Sequence, residues 1–96
     1  MFIVDLTYIV DLELVEPHMQ AHMAWLEQNY QQGVFLASGR KNPRSGGVIL
    51  ASCEDQRQLQ KILQQDPFAV NKLVRTNITE VLLNKSAIGL EPLINC

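Results

Sequence analysis

Apolar and polar positions alternate from Phe2 to Val10. Phe2, Val4, Leu6 and Tyr8 fall on one side, and Ile3, Asp5, Thr7 and Ile9 on the other. A period of two, rich in β-branched and aromatic residues, predicts a strand. Its second side is mixed, which suits a face that is itself partly covered. From Leu14 to Gln32 the period changes: Val15, Met19, His22, Leu26 and Tyr30 recur at steps of three and four. That is the stripe of a helix about four turns long. Glu16 and Pro17 suit its first turn, and Gly33 suits its C-cap. Val34 to Ser38 predicts a second strand and Gly47 to Ser52 a third, joined by turn residues from Gly39 to Gly46. Ser52 or Glu54 then opens a second helix with Leu59, Ile62 and Leu63 inward. It should end near Gln65, because a residue before proline avoids the helical region and Asp66 precedes Pro67. Asp66 can cap a new short turn that runs toward Lys72. Val74 to Leu83 alternates again and predicts the last strand.

The order β-α-β-β-α-β is the α+β, ferredoxin-like arrangement, with one four-stranded antiparallel sheet and both helices on one face. The 96 residues are expected to form a single domain, its core over about residues 2–84 and a C-terminal tail over 85–96. The other sheet face is then left open. Composition bears on that face: 47% of the residues are hydrophobic and 19% charged, a high apolar load for so short a chain. A second copy laying its sheet on the first would cover the face, so a homodimer is expected. Ile88 and Leu93 of the tail would pack on that partner, or the tail would add a short strand.

A net charge of −2 steers the chain toward neither nucleic acid nor an anionic membrane. The basic group Arg40, Lys41 and Arg44 is too small for a nucleic-acid surface but can face a small anion. No apolar run is long enough to span a bilayer, and Met1-Phe2-Ile3-Val4-Asp5 lacks the basic start of a signal peptide. A cytoplasmic protein is expected, with Cys53 and Cys96 as free thiols.

Three features carry candidate chemistry. His18 and His22 stand at i and i+4 and share a helix face. Two histidines are half of a zinc site, and no spacing supplies a third ligand, so no metal is expected. His22 alone interrupts the apolar stripe between Met19 and Leu26 and should point toward the sheet. A satisfied core residue and a site residue are both open there, the first being the commoner. Asp66 before Pro67 is first of all a helix cap. Ser38-Gly39 and the loop Arg40-Lys41-Asn42-Pro43-Arg44-Ser45-Gly46-Gly47 read as a hairpin turn, or as a mobile lid that brings cations to an anionic substrate.

Taken together, these features resemble the YciI-like proteins, the YCII-related family. The chain reads His22-x-x-Trp25-Leu26, then Gly33-Val34-Phe35-Leu36-Ala37-Ser38-Gly39, then Pro43-Arg44-x-Gly46-Gly47, then Asp66-Pro67-Phe68, and then Ile78-Thr79-Glu80-Val81. Where the family commonly has proline after the Ser-Gly corner, this chain has Arg40. The resemblance implies a ferredoxin-like chain of the dimeric α/β-barrel type. It also implies an active-site pair of His22 and Asp66, with Ser38, Gly39, Arg40 and Arg44 near the substrate. A carboxylate on one imidazole nitrogen fixes the tautomer and makes the other nitrogen a base. No cofactor is implied, and no nucleophile stands out. The chemistry that fits is proton abstraction by His22, in a lyase or isomerase acting on a small, aromatic or anionic compound. A non-catalytic dimer that binds a small ligand is the alternative reading. A polar pair that merely locks the fold is a third.

Overall fold

The computed structural model describes residues 1–52 and 54–94. Cys53 and Cys96, read above as free thiols, lie outside the described residues.

Four strands form one sheet: β1 (Phe2–Tyr8), β2 (Phe35–Arg40), β3 (Gly46–Ala51) and β4 (Val74–Glu80). Their order is β2-β3-β1-β4, and every neighbouring pair is antiparallel. This is the α+β ferredoxin-like fold. Val4, at the centre, lies opposite Ile49 on one side and Ile78 on the other. Burial follows the strand period: Phe2, Val4 and Leu6 are buried, whereas Ile3, Asp5 and Thr7 are half-buried on the open face.

The helical layer is more broken than its periodicity suggests. In place of one helix over Leu14 to Gln32 there are α1 (Leu12–Val15), a 3-10 turn (Glu16–His18) and α2 (Met19–Gln31). Helical structure begins earlier than expected, so Pro17 falls inside the helical stretch instead of opening it. Proline has no N–H to donate and its ring crowds the preceding turn, which breaks the α-helical ladder there. The buried positions of α2 are His22, Trp25 and Asn29, while Met19, Leu26 and Tyr30 are half-buried at the edge of the stripe. Gly33, at φ +75°, ends α2. Val34 N–H donates to Asn29 C=O and Gly33 N–H to Tyr30 C=O, the paired bonds of a Schellman C-cap.

Helix α3 (Gln56–Leu63) is capped by Asp55, not by Ser52 or Glu54: the Asp55 side chain accepts from Gln58 N–H at 2.7 Å. The one-turn helix α4 (Pro67–Val70) starts where Asp66 was expected to cap it, and the carboxyl accepts from Phe68 N–H at 3.0 Å. Trp25 and Phe35 join Leu59, Leu63 and the inward residues of β1 and β3 in the main core. The Trp25 indole donates to Ile62 C=O and ties α2 to α3. A smaller cluster of Val15, Phe68 and Leu73 closes the end where α4 sits.

The hairpin is longer than its turn residues implied. Gly39 pairs with Val48 and Arg40 with Gly47, so both lie in β2 and the loop shrinks to residues 41–45. Gly46 has φ +152°, and a Cβ there would lie 1.8 Å from the Leu6 carbonyl oxygen. Only glycine lets β3 approach β1 so closely at this point. After β4 the chain forms no further strand among the described residues; a single 3-10 turn spans Glu91–Leu93.

Candidate active site

His22 comes from the middle of α2 and Asp66 from the residue before α4. The His22 ring and the Asp66 carboxyl meet through Nδ1 and Oδ1 at 2.7 Å. Both groups are buried, Asp66 at 1% exposure. A carboxylate only accepts, so the bond puts the imidazole hydrogen on Nδ1 and leaves the lone pair on Nε2. The ring plane is fixed as well. Phe68 stacks on it with centroids 3.9 Å apart and planes 4° from parallel, and Trp25 flanks it at 5.6 Å. Asp66-Pro67-Phe68 therefore supplies the cap, the imidazole's partner and the stacked ring within one turn.

Asp66 Oδ1 accepts both the His22 and the Phe68 hydrogen bonds, and Oδ2 is buried with no hydrogen-bond partner among the described residues. A buried acceptor left unmade costs about 1–3 kcal/mol. A buried group left so calls for a specific cause, and a catalytic role is one such cause.

In front of the ring is a cavity of about 440 Å³ between α2 and the hairpin. That volume suits a small molecule. His22, Ser38, Gly39, Arg40 and Arg44 all line it. Asp66 does not; it sits behind His22. The structure thus brings five of the six candidate residues to the lining of one cavity and the sixth into contact with His22. The rest of the lining is largely apolar, including Leu6, Met19, Met23, Leu26 and Phe68. With Nδ1 engaged, Nε2 is the nitrogen that His22 has left for a molecule in this space.

Three supports were not legible from the sequence. The Tyr30 hydroxyl and Ser38 Oγ are 2.6 Å apart, which holds the serine at the cavity edge. Glu16 Oε1 binds Arg44 Nη1 at 3.0 Å and ties the hairpin to the 3-10 turn. Phe68 was present in the quoted Asp-Pro-Phe motif, but its stacking on His22 has no local signal. His18 turns away from His22 to Asn71, with Nδ1 3.3 Å from the Asn71 amide nitrogen. Among the described residues no three His, Cys, Asp or Glu side chains come together as metal ligands. No helix among them is long and apolar enough to cross a membrane.

A family model described as the YCII-related domain matches residues 1–81. A search of curated proteins finds no match. Among solved structures, the chain is similar to 5-chloro-2-hydroxyhydroquinone dehydrochlorinase from Burkholderia phenoliruptrix AC1100, solved in complex with 2,5-dihydroxybenzoquinone. The TM-score is 0.70 at 16% identity, over 84% of this chain and 93% of that one.

Proposed function

The chain belongs to the YCII-related domain family, and on that premise we propose that it is a small-molecule enzyme in which His22 acts as general base. Nε2 takes a proton from carbon or, in a chlorinated hydroxyhydroquinone whose chlorine-bearing carbon has been protonated by tautomerisation, from a ring hydroxyl. The electron pair left behind forms a double bond as an anion departs, giving elimination, or is reprotonated at another carbon, giving isomerisation. Asp66 holds the tautomer and balances the imidazolium that forms. The observation that carries this reading is the 2.7 Å bond from Asp66 to the nitrogen of His22 opposite the one left for the cavity. The similar fold of a dehydrochlorinase solved with a dihydroxybenzoquinone supports a small, oxygenated ring compound as the substrate class. In the same reading the working form is a homodimer, with a second sheet covering the open face. Ile3 and Ala37, both opposite Leu50, and Val48 beside them are among the apolar residues of that face.

The test is a panel of chlorinated hydroxyhydroquinones and enolisable lactones, followed by chloride release and by solvent-deuterium uptake at carbon. The wild type should catalyse one of these. His22→Gln, which keeps a donor for Asp66, should lower the rate by about a hundredfold or more. Asp66→Asn should lower it by at least about tenfold through loss of the tautomer. A rate that survives in folded His22→Gln overturns the assignment. Compounds that bind with neither exchange nor release identify a binding protein instead.

A further inference from the structure

The charged side chains that line the cavity have one sign. Two arginines line it, Arg40 and Arg44, and no aspartate or glutamate does. The two are not equivalent. Arg44 is already paired with Glu16 at 3.0 Å. The Arg40 guanidinium has no ion pair or hydrogen bond to another described residue. It is also carried by a paired strand, since Arg40 lies opposite Gly47 in the β2–β3 ladder. Its backbone is therefore held while its cation is left uncommitted, in a cavity whose lining also includes Met19, Met23 and Leu26.

An unpaired guanidinium in a largely apolar cavity with no competing acid attracts anions and suits two oxygens of one group. We propose that the compound taken by this site carries a carboxylate or phenolate on a small apolar body, and that Arg40 binds that oxygen group. Arg44 is a clasp that fixes the hairpin, not a ligand for the anion. This deepens the reading of the cavity as a small-molecule site and rests on it. It does not depend on any reaction at His22.

Benzoate and benzamide share a body and differ in charge, so they serve as probes. Each is titrated into wild type, Arg40→Gln, Arg44→Gln and His22→Gln, and followed by amide NMR shifts of the cavity-lining residues. In the wild type, benzoate should bind saturably at the cavity and at least about tenfold more tightly than benzamide. Arg40→Gln should remove that preference with benzamide binding unchanged. Arg44→Gln should alter benzoate affinity by less than about threefold. Three results would overturn the proposal: no saturable benzoate binding at the cavity, equal affinity for the two probes, or an intact preference in Arg40→Gln. His22→Gln separates this proposal from the catalytic one. An anion preference governed by Arg40, with turnover indifferent to His22, keeps the anion site and removes the base. Turnover that needs His22, with a preference indifferent to Arg40, does the reverse.

Discussion

Asp5, Thr7 and Lys41 form a polar group on the open sheet face, with Lys41 Nζ donating to Asp5 Oδ1 and to Thr7 Oγ1. The hydrogen bond from Lys41 holds the Asp5 carboxyl below its ordinary range; burial opposes this, and the Lys41 charge and the Thr7 hydroxyl add to it. A depressed value in the folded chain stabilises it fully above the unfolded-state value near about pH 4. The contribution is lost as the pH falls through the folded value. The Asp5 side chain is 45% exposed, so solvent weakens the pair. Lys41→Met should lower stability at neutral pH by less than about 1 kcal/mol. Urea midpoints followed from neutral pH to the acid end of the folded range check this, since the gap between variant and wild type should narrow there as the Asp5 carboxyl is protonated. A gap that persists there would show that Lys41 acts by packing and not by charge. At the same scale, the individual site residues were visible in the chain but their pairing was not. His22 and Asp66 are 44 positions apart, and each has a sufficient local explanation as a stripe residue or a cap. Only the resemblance joined them. Glu16 and Arg44 had no such help, because an ion pair between a turn and a hairpin loop leaves no periodic trace.

At the scale of elements, apolar alternation predicts β1 and β4, and short apolar runs on either side of turn residues predict β2 and β3, in the observed order along the chain. Where the pattern fell short, backbone chemistry was the reason. The break at Glu16–His18 depends on how far helical structure extends before Pro17, which the stripe alone does not report. The turn residues from Gly39 to Gly46 predict a longer loop than the one observed, because Gly39 and Gly46 both look like turn residues. Gly39 in fact continues a ladder, and Gly46 is needed for close approach to β1. The second point is testable. Gly46→Ala would put a methyl group against the Leu6 backbone, where nothing flexible can yield. The expected loss is about 3 kcal/mol, measured by chemical denaturation. A loss below about 1 kcal/mol would mean that β1 and β3 can separate locally at no great cost. Because Arg40 pairs opposite Gly47, next to this contact, the variant should also weaken the benzoate preference.

For the whole molecule, the open sheet face and the tail are the two regions that the proposed homodimer would cover. The family match ends at residue 81, and the chain beyond it carries apolar side chains with little cover: Leu82 is 84% exposed and Ile88 is 99% exposed. In the proposed homodimer these residues pack on the second copy. Truncation after Asn84 should then raise the dimer dissociation constant by at least about tenfold, read by sedimentation equilibrium. An unchanged constant would remove the tail from the interface.

The mount of the imidazole has a consequence for how such a chain can change over evolutionary time. Cap, carboxylate and stacked ring come from three consecutive residues, Asp66, Pro67 and Phe68, on one side of the cavity. The cation and the Ser-Gly corner come from the hairpin on the other side. In the proposed function, reactivity and choice of ligand would therefore be inherited on separate stretches of chain. A descendant can exchange Arg40 for another residue, and so accept a different compound, without disturbing the group that holds the proton.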